Sequence, residues 1–540
     1  MKREIVINGR PVGAGHPTYI IAEMSANHAG SIERAKEIIR AAKDSGADCV
    51  KIQTYTPDTL TIDCHNSYFQ IESGTWEGEN LYSLYGRAYT PWEWHQALKE
   101  EAERVGIDFL STPFDKTSVD FLEDLGMNFY KIASFEMVDL PLLRYVASKG
   151  KPIIMSTGMG TLEEIREAVE AIHETGNHQL AILKCSSAYP ANPADMHLST
   201  IADMMKRFDM PVGLSDHSLG SLSATTAVAM GASVIEKHFC ISREIENPDA
   251  SFSMTPQEFR QMVEDIRKVE AALGVPQYGP SRQEESSVVF RRSVFVVKDI
   301  KAGEPLTEEN IRIIRPGYGM KPKYFEDVLG MRAACDLERG TPLSFAHLEK
   351  HAVLFLSNNH NTDTLFQWLK EQGEPVYRFS NKLTPEMIRE LEPAFIISYN
   401  YRHIIKEDVI EAMKGRIINL HTSYLPYNRG ASPNVFSFLE NTRKGVTIHV
   451  LDKGLDTGDI LCQKELFFDE SKETFASSYE RLLEEMNQLF RENWKAIRAG
   501  KIVPRRQEGE GSYHTMKDLQ AIREKKPFTW DTVIQEYKSL

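Results

Sequence analysis

Residues 211–239 read PVGLSDHSLG, then SLSATTAVAMG, then ASVIEKHF, and this stretch decides the fold. Two strand-like segments, each ending in a histidine (His217 and His238), flank a helix-like apolar run. Side chains two apart on a strand share a face, so Ser215 points with His217 and Glu236 points with His238. Parallel neighbouring strands lie about 4.8 Å apart, close enough for the two imidazoles to share one divalent metal. One such histidine is most simply a hydrogen-bonded residue near a strand end. Two at equivalent ends of consecutive strands point to a metal site.

Outward from this stretch, the same unit repeats: a short apolar strand, a loop, an amphipathic helix. The strands read YIIAEMS, CVKIQTY, DFLSTPF, FYKIASF, PIIMSTG, LAILKCS, PVGLSDH and SVIEKHF. Helical segments such as SIERAKEIIRAAKDSG and TLEEIREAVEAIHETG separate them and end in glycine. Eight such units over about 250 residues predict an α/β fold of the (β/α)8 TIM-barrel class. A doubly wound sheet is the alternative, but no glycine-rich dinucleotide loop follows the first strand. A short hairpin, EIVINGRPV, precedes the barrel and turns at Asn8-Gly9. The polar residues gather where a barrel places its active site: Glu23, Lys51, Gln53, Thr112, Lys131, Ser134, Glu136, Ser156, Ser187, Tyr189, Ser215, His217, Glu236 and His238. A buried lysine is costly unless paired or serving an anion. Two lysines and several hydroxyls at one mouth suit a phosphate-bearing substrate. Any single Ser or Thr is more simply a strand-end hydroxyl bonded to backbone.

The chain has 540 residues with 41% hydrophobic and 26% charged residues, ordinary for a globular protein of several domains. A net charge of −14 argues against nucleic acid or an anionic membrane as partner. Six cysteines without a CxxC pair fit a reducing compartment and exclude a cysteine zinc finger. With no apolar signal core at the start and no long apolar run, the expectation is a cytoplasmic protein.

Beyond the barrel, assigned to residues 1–285, residues 286–350 read as a small β-rich domain with Lys-Ala-Gly and Arg-Gly turns. Arg315 lies there in a loop, RPGYGM. From 351 to 540, VLFLSNN, PVYRFSN, AFIISYN and RIINLHT alternate with helical segments, a second α/β domain. Asn419 and His421 are two apart at a strand end, hence on one face, and Asp456 lies beyond the next strand.

At IAEMSANHAGS, VKIQTYTPDT, FLSTPFD, YKIASFE, MSTGM, GLSDHSLG and IEKHF, the first 350 residues resemble the sialic acid synthase family with its antifreeze-like (SAF) domain. GTWEGENLYSLYGRAYTPWEWHQAL looks most like the pseudaminic acid synthases. INLHTSYLPYNRG followed by GVTIHVLDKGLDTGDI resembles the formyltetrahydrofolate-dependent formyltransferases, with their Rossmann-like domain. The first resemblance implies condensation of phosphoenolpyruvate with an open-chain amino sugar, a 2,4-diacetamido-2,4,6-trideoxyhexose, to a nonulosonic acid and phosphate. It implies His217 and His238 holding a divalent metal such as Mn2+, Mg2+ or Co2+. Phosphoenolpyruvate would lie on Lys51, Thr112, Lys131, Ser134, Ser156, Ser187 and Ser215, with Ser187 standing where sialic acid synthases often have asparagine. Glu136 would activate water, and Glu23, Gln53, Tyr189 and Asp249 would face the sugar. Arg315 would reach that sugar from the partner's SAF domain in a domain-swapped homodimer. The second resemblance implies 10-formyltetrahydrofolate as donor and an amino sugar as acceptor. Asn419 would polarise the formyl oxygen, His421 would shuttle protons and Asp456 would set the charge of His421. Too few residues follow for the β-barrel extension of a tRNA formyltransferase. Competing readings are a legionaminic or sialic acid synthase with a non-catalytic sugar-binding C-terminal domain, and an aldolase barrel using a lysine Schiff base. The paired histidines speak against the aldolase.

Overall fold

The computed structural model describes residues 4–539 and divides into two compact units, one up to Gln277 and one from Tyr278. In the first unit, β1 (Glu4–Ile7) and β2 (Arg10–Gly13) form the expected hairpin. Both turn residues, Asn8 (φ 47°) and Gly9 (φ 79°), are left-handed, the backbone a type I′ turn requires.

Eight parallel strands follow: β3 (Tyr19–Glu23), β4 (Cys49–Thr54), β5 (Asp108–Pro113), β6 (Tyr130–Ile132), β7 (Ile153–Ser156), β8 (Leu180–Cys185), β9 (Val212–Asp216) and β10 (Val234–His238). Their hydrogen-bonded order is β5-β4-β3-β10-β9-β8-β7-β6, so each runs beside its chain neighbour and β3 meets β10. Strands β5 and β6 lie side by side without a ladder, which leaves the TIM-type barrel nearly closed. The strand segments expected from the sequence are therefore the strands observed.

The period of two along each strand sorts the barrel interior into layers. Tyr19, Ile21, Cys49, Leu110, Phe129, Ile154, Ala181, Leu183 and Val234 make an apolar floor, closed from below by Ile5, Ile7 and Val12 of the hairpin. Two residues further along the same strands stand Glu23, Lys51, Thr112, Lys131, Ser156, Cys185 and Glu236. Alternate side chains face outward into the larger core between sheet and helices.

In the second unit, β11 (Ser293–Val296) and β12 (Ile311–Ile314) pair antiparallel, and isolated bridges such as Ile300↔Leu337 and Ala333↔Leu348 complete a small β-rich fold. Next come β13 (Val353–Leu356), β14 (Val376–Phe379), β15 (Phe395–Tyr399), β16 (Ile417–His421), β17 (Arg429–Gly430), β18 (Lys444–Val450), β19 (Ile460–Leu466) and β20 (Tyr513–His514). The six-stranded sheet runs β14-β13-β15-β16-β18-β19, parallel through β16 and antiparallel for the last two strands. Helix Phe475–Arg498, with Thr474 as its N-cap, lays Leu482, Met486, Phe490 and Trp494 on this sheet at i, i+4 spacing. Leu519, Ile534 and Tyr537 pack with Val435, Phe436 and Phe475 in a further buried cluster.

The β-rich fold and the sheet domain share one core. Val294, Val296, Ile311 and Leu343 belong to the same buried cluster as Leu354, Leu356, Phe379 and Met387. Buried Asp327 accepts from the Ser380 amide (2.8 Å), the Ser380 hydroxyl (3.0 Å) and Asn381 Nδ2 (2.9 Å), which satisfies a carboxylate that would be costly unpaired.

Candidate functional site

The polar layer of the barrel is one connected network. Lys51 Nζ stands 2.6 Å from Glu23 and 3.8 Å from Glu236, and donates to Thr112 Oγ1 at 3.3 Å. Lys131 Nζ donates to Ser156 Oγ at 2.6 Å and lies 3.7 Å from Glu236. Ser215 Oγ donates to Glu236 at 3.0 Å, as their placement on facing strand positions requires. Gln53 Nε2 donates to Glu23 (3.2 Å) and Ser25 (3.0 Å). Beside this network, Ser134 Oγ accepts the Gly158 amide at 3.0 Å, and a Cβ on Gly158 would stand 2.3 Å from Ser187 Oγ and 2.7 Å from Ser134 Oγ. Only glycine lets these two hydroxyls converge there.

Burial governs the titration of these groups. It raises Glu136 to about 7 against the pull of Lys131, and Glu136 Oε2 is enclosed without a hydrogen-bond partner. Burial also raises Glu23 to about 7, with Lys51 opposing. It lowers Lys131, while Glu236 is held below the carboxylate range by Lys131, Lys51 and Ser215 despite burial. An acid poised near neutrality can both take and give a proton.

The register of β9 on β10 pairs Leu214 with Ile235, Ser215 with Glu236 and Asp216 with Lys237, so the next step sets His217 beside His238. Their ring centroids are 5.4 Å apart. His217 Nδ1 donates to the Ser186 carbonyl at 2.8 Å, leaving Nε2 as its free nitrogen. His238 Nδ1 is buried without a hydrogen-bond partner, 4.0 Å from Asp249. Burial, reinforced by His217 and Lys51, holds His238 neutral well below its ordinary range, the state a ligand needs. Burial likewise works against a charge on His217, but the Cys185 sulfur 3.8 Å away, the Ser186 carbonyl and Glu236 together raise its pKa. Two imidazoles with free nitrogens fit a divalent ion completed by water and substrate oxygens. Among the described residues no group of three or more His, Cys, Asp or Glu gathers as a metal site.

The second unit presents a different cluster around Asp456, a buried non-glycine residue held at φ 51°. Its Oδ1 accepts from Asn419 Nδ2 at 3.0 Å and its Oδ2 from the Gly430 amide at 2.9 Å. His421 Nδ1 faces Oδ2 at 3.6 Å, while His421 Nε2 donates to the Asn428 carbonyl at 3.0 Å. Burial opposes ionisation of Asp456, but His421, His449 and the Gly430 amide hold its carboxyl well below the usual range. Gln507, from the chain end, donates to the Asp456 carbonyl at 2.8 Å.

His449 belongs to this cluster and escaped the sequence reading. It pairs directly with Asn419 across β16 and β18, with Nε2 3.4 Å from Asn419 Nδ2 and 3.4 Å from Asp456 Oδ1. Its Nδ1 donates to the Val450 carbonyl, which leaves Nε2 to accept the second Asn419 N–H. The signal was present as a histidine on the inward face of VTIHV, but it speaks only once β18 is known to reverse direction.

The structure thus brings together Glu23, Lys51, Gln53, Thr112, Lys131, Ser156 and Ser215 in one network, Ser134 with Ser187 at Gly158, and Tyr189 and Asp249 with the histidines. Arg315 stands on the loop after β12, exposed and without a hydrogen bond or ion pair among the described residues.

With this geometry in view, comparison with known proteins is direct. The NeuB family model matches residues 38–278. Over 325 residues the chain is 46% identical to the pseudaminic acid synthase of Campylobacter jejuni subsp. jejuni serotype O:23/36 (strain 81-176), covering 60% of this chain and 95% of that protein. The chain belongs to the NeuB family. Among solved structures, this NeuB-family chain resembles a putative spore coat polysaccharide biosynthesis protein E from Chromobacterium violaceum, with 27% identity, a TM-score of 0.51, and coverage of 62% of this chain and 99% of that one. The SAF domain model follows at residues 291–349 and the formyl transferase model at 354–493. The formyltransferase PseJ from Anoxybacillus kamchatkensis is 41% identical over 35% of this chain and 100% of its own, with a TM-score of 0.33. The molecule is a sugar-acid synthase fused through a SAF domain to a formyl transferase domain. Among the described residues no helix is long and apolar enough to cross a membrane.

Proposed function

We propose that the barrel condenses phosphoenolpyruvate with an open-chain 2,4-diacetamido-2,4,6-trideoxyhexose, giving a nine-carbon acid of the pseudaminic type and phosphate. The observation that carries this reading is two buried ammonium groups, Lys51 and Lys131, facing one interior with hydroxyls from Thr112 and Ser156 and with a half-buried Glu136 poised near pH 7. Each lysine already meets three partners, Lys51 at Glu23, Thr112 and Glu236 and Lys131 at the Ile132 carbonyl, Ser156 and Glu236, so the carboxylate and phosphate of the substrate exchange with the long Glu236 contacts of 3.8 and 3.7 Å. A divalent ion on His217 and His238 would supply Lewis acidity at the sugar aldehyde. The enol carbon bonds to the aldehyde carbon as its C=O bond opens. Glu136 takes a proton from the water that adds to the former enol C2, and that proton passes to the new sugar alkoxide. The resulting tetrahedral centre loses phosphate by C–O cleavage as the C2 carbonyl forms, the C2 hydroxyl proton leaving with the phosphate.

The SAF domain of a second copy completes the mouth in a domain-swapped homodimer. Arg315 is exposed and unpaired among the described residues, and the loops after β6, β7 and β9 expose Phe135, Val138, Met159, Leu219 and Leu222 as an apolar rim.

The formyl transferase domain passes a formyl group from 10-formyltetrahydrofolate to an amine on a sugar of the same pathway. Since His421 Nε2 is committed to a carbonyl, Nδ1, facing Asp456, is the nitrogen that gains and loses the amine's proton. Asn419 turns one N–H from His449 to the developing oxyanion. The test is a paired assay on the full chain. Phosphate release is followed with phosphoenolpyruvate and a panel of diacetamido sugars, with and without chelator. Tetrahydrofolate release is followed with amino sugars and sugar nucleotides. Full condensation in metal-free buffer removes the metal, and no formyl acceptor in the panel leaves the second domain as a sugar sensor or scaffold.

A further inference from the structure

Between β4 and the helix His95–Val105 the chain makes a long excursion, residues 55–94, whose tip is built as a closed loop. Gln70 bridges Asn80, the Ile71 amide donates to the Glu79 carbonyl at 2.9 Å, and the Gly78 amide donates to the Ile71 carbonyl at 2.8 Å. Trp76 sits inside this loop. From a strap rooted after β4, it crosses to loops on the far side of the mouth. Its Nε1 donates to the Pro248 carbonyl, after β10, at 3.1 Å, and the neighbouring Thr75 hydroxyl donates to the Tyr189 carbonyl, after β8.

There Trp76 joins a chain of rings that ends on the two histidines. Its centroid lies 5.5 Å from Tyr189 and 6.5 Å from Phe252. Tyr189 packs on His217 at 4.2 Å and Phe252 on His238 at 5.0 Å. A histidine pair meant only to be buried needs no such strap. An open surface strap, conversely, has no reason to spend its indole N–H on a backbone carbonyl across the barrel. With that N–H spent, Trp76 offers its open side as ring carbon alone, and Phe252 offers nothing else.

We propose that Trp76 is a specificity-determining residue of the barrel: with Tyr189 and Phe252 it forms an aromatic wall beside the two histidines that takes the apolar substituents of the sugar, its deoxy methyl and acyl methyl groups. This rests on the condensation proposed above and names the part of the sugar that the wall reads. A methyl packed on the indole face gains burial, whereas a hydroxyl on that face meets ring carbon and loses its water. Trp76 itself contacts Pro248, Tyr189 and Phe252 and none of Lys51, Lys131 or Ser156, so its loss acts on the sugar and not on phosphoenolpyruvate.

The test compares wild type, Trp76→Ala and Trp76→Phe with a 2,4-diacetamido-2,4,6-trideoxyhexose and with its 6-hydroxy counterpart, each at saturating phosphoenolpyruvate. In Trp76→Ala the KM for the trideoxy sugar rises about tenfold or more and the kcat/KM preference for it over the 6-hydroxy sugar falls by a similar factor, the range for one apolar group in a pocket. The KM for phosphoenolpyruvate stays within about twofold, and Trp76→Phe recovers most of the preference. Unchanged discrimination in a folded Trp76→Ala overturns the inference while leaving the condensation standing. So does an equal loss toward phosphoenolpyruvate, which marks a merely structural strap. A wild-type chain that condenses neither sugar sinks both readings.

Discussion

At the barrel mouth Glu136 Oε2, Glu236 Oε2 and His238 Nδ1 are buried without a hydrogen-bond partner, whereas both oxygens of Asp456 in the formyl transferase domain are taken, one by Asn419 and one by the Gly430 amide. A buried polar atom left without a hydrogen bond costs roughly 1–3 kcal/mol; Lys51 at 3.8 Å offsets part of this for Glu236 Oε2, whereas Glu136 Oε2 and His238 Nδ1 stay open to an incoming group. The barrel stores unmet valence around an open centre. The Asp456 corner is closed on itself, with Asn419 bonded to both Asp456 and His449. Under the proposed function the first site is completed by its substrate, and the second is rearranged by its own as Asn419 leaves His449 for the formyl oxygen.

The sharpest way to break this contrast is His421→Ala. Proton transfer contributes roughly 100- to 10,000-fold, so tetrahydrofolate release should fall by that range while phosphate release from the barrel stays nearly unchanged. A parallel loss in both assays would show that the two chemistries are coupled. Next comes Lys131→Ala, which removes the donor of Ser156 and one counter-charge of Glu236. Condensation should drop about 100- to 1,000-fold with formyl transfer intact. Retained phosphate release would mean that Lys131 is a structural ion-pair partner only.

Glu136→Gln addresses the unmet valence itself. Condensation should fall about 100-fold, and its rise with pH through about 7, where wild-type Glu136 becomes a carboxylate, should disappear. The stability effect has a defined sign. Glu136 has a folded pKa of about 7 against an ordinary 4.5, so the folded state holds the proton more tightly. That contribution is fully present below 4.5 and is lost as pH rises through about 7, so the Tm of Glu136→Gln relative to wild type should climb across this window. A pH-independent difference would place the titration elsewhere. The smallest effect belongs to His449→Phe, which deletes the 3.4 Å contacts with Asn419 and Asp456 and the 3.0 Å bond to the Val450 carbonyl, only the first of which touches Asn419. A typical bond of this kind is worth about 1 kcal/mol, and formyl transfer should change by roughly fivefold, in kcat more than in KM. A loss as large as that of His421→Ala would make His449 a proton carrier in its own right.

Much of the barrel was legible because its rules are local. Period two within strands, helical spacing between them and a return every few dozen residues placed His217 beside His238 before any coordinate was known. What stayed hidden depends on contacts between distant segments. Lys51 and Lys131 read as a cationic cradle for an anion, yet each is already engaged with Glu236, and nothing in their spacing says so. The stretch around Trp76 looks like a surface excursion until its indole is seen bonded to Pro248, 172 residues away. His449 needed the reversal of β18, a choice of strand direction that local pattern does not encode. The weakly patterned chain end gave no hint that Gln507 would brace Asp456.

The common core of the SAF and formyl transferase folds, with Asp327 locked onto Ser380 and Asn381, has a mechanical consequence. Under the proposed function, in which the SAF domain of one copy closes the mouth of another, a SAF domain alone would be a light lid of about sixty residues. Here it cannot swing without hauling the whole sheet domain behind it. Motions of that size run on the microsecond-to-millisecond scale of domains and not the nanosecond scale of loops. Friction with solvent then enters the cycle of any reaction the lid gates, and turnover in a viscous medium such as concentrated sucrose would slow in this fused chain where a truncated relative ending at the SAF domain would not.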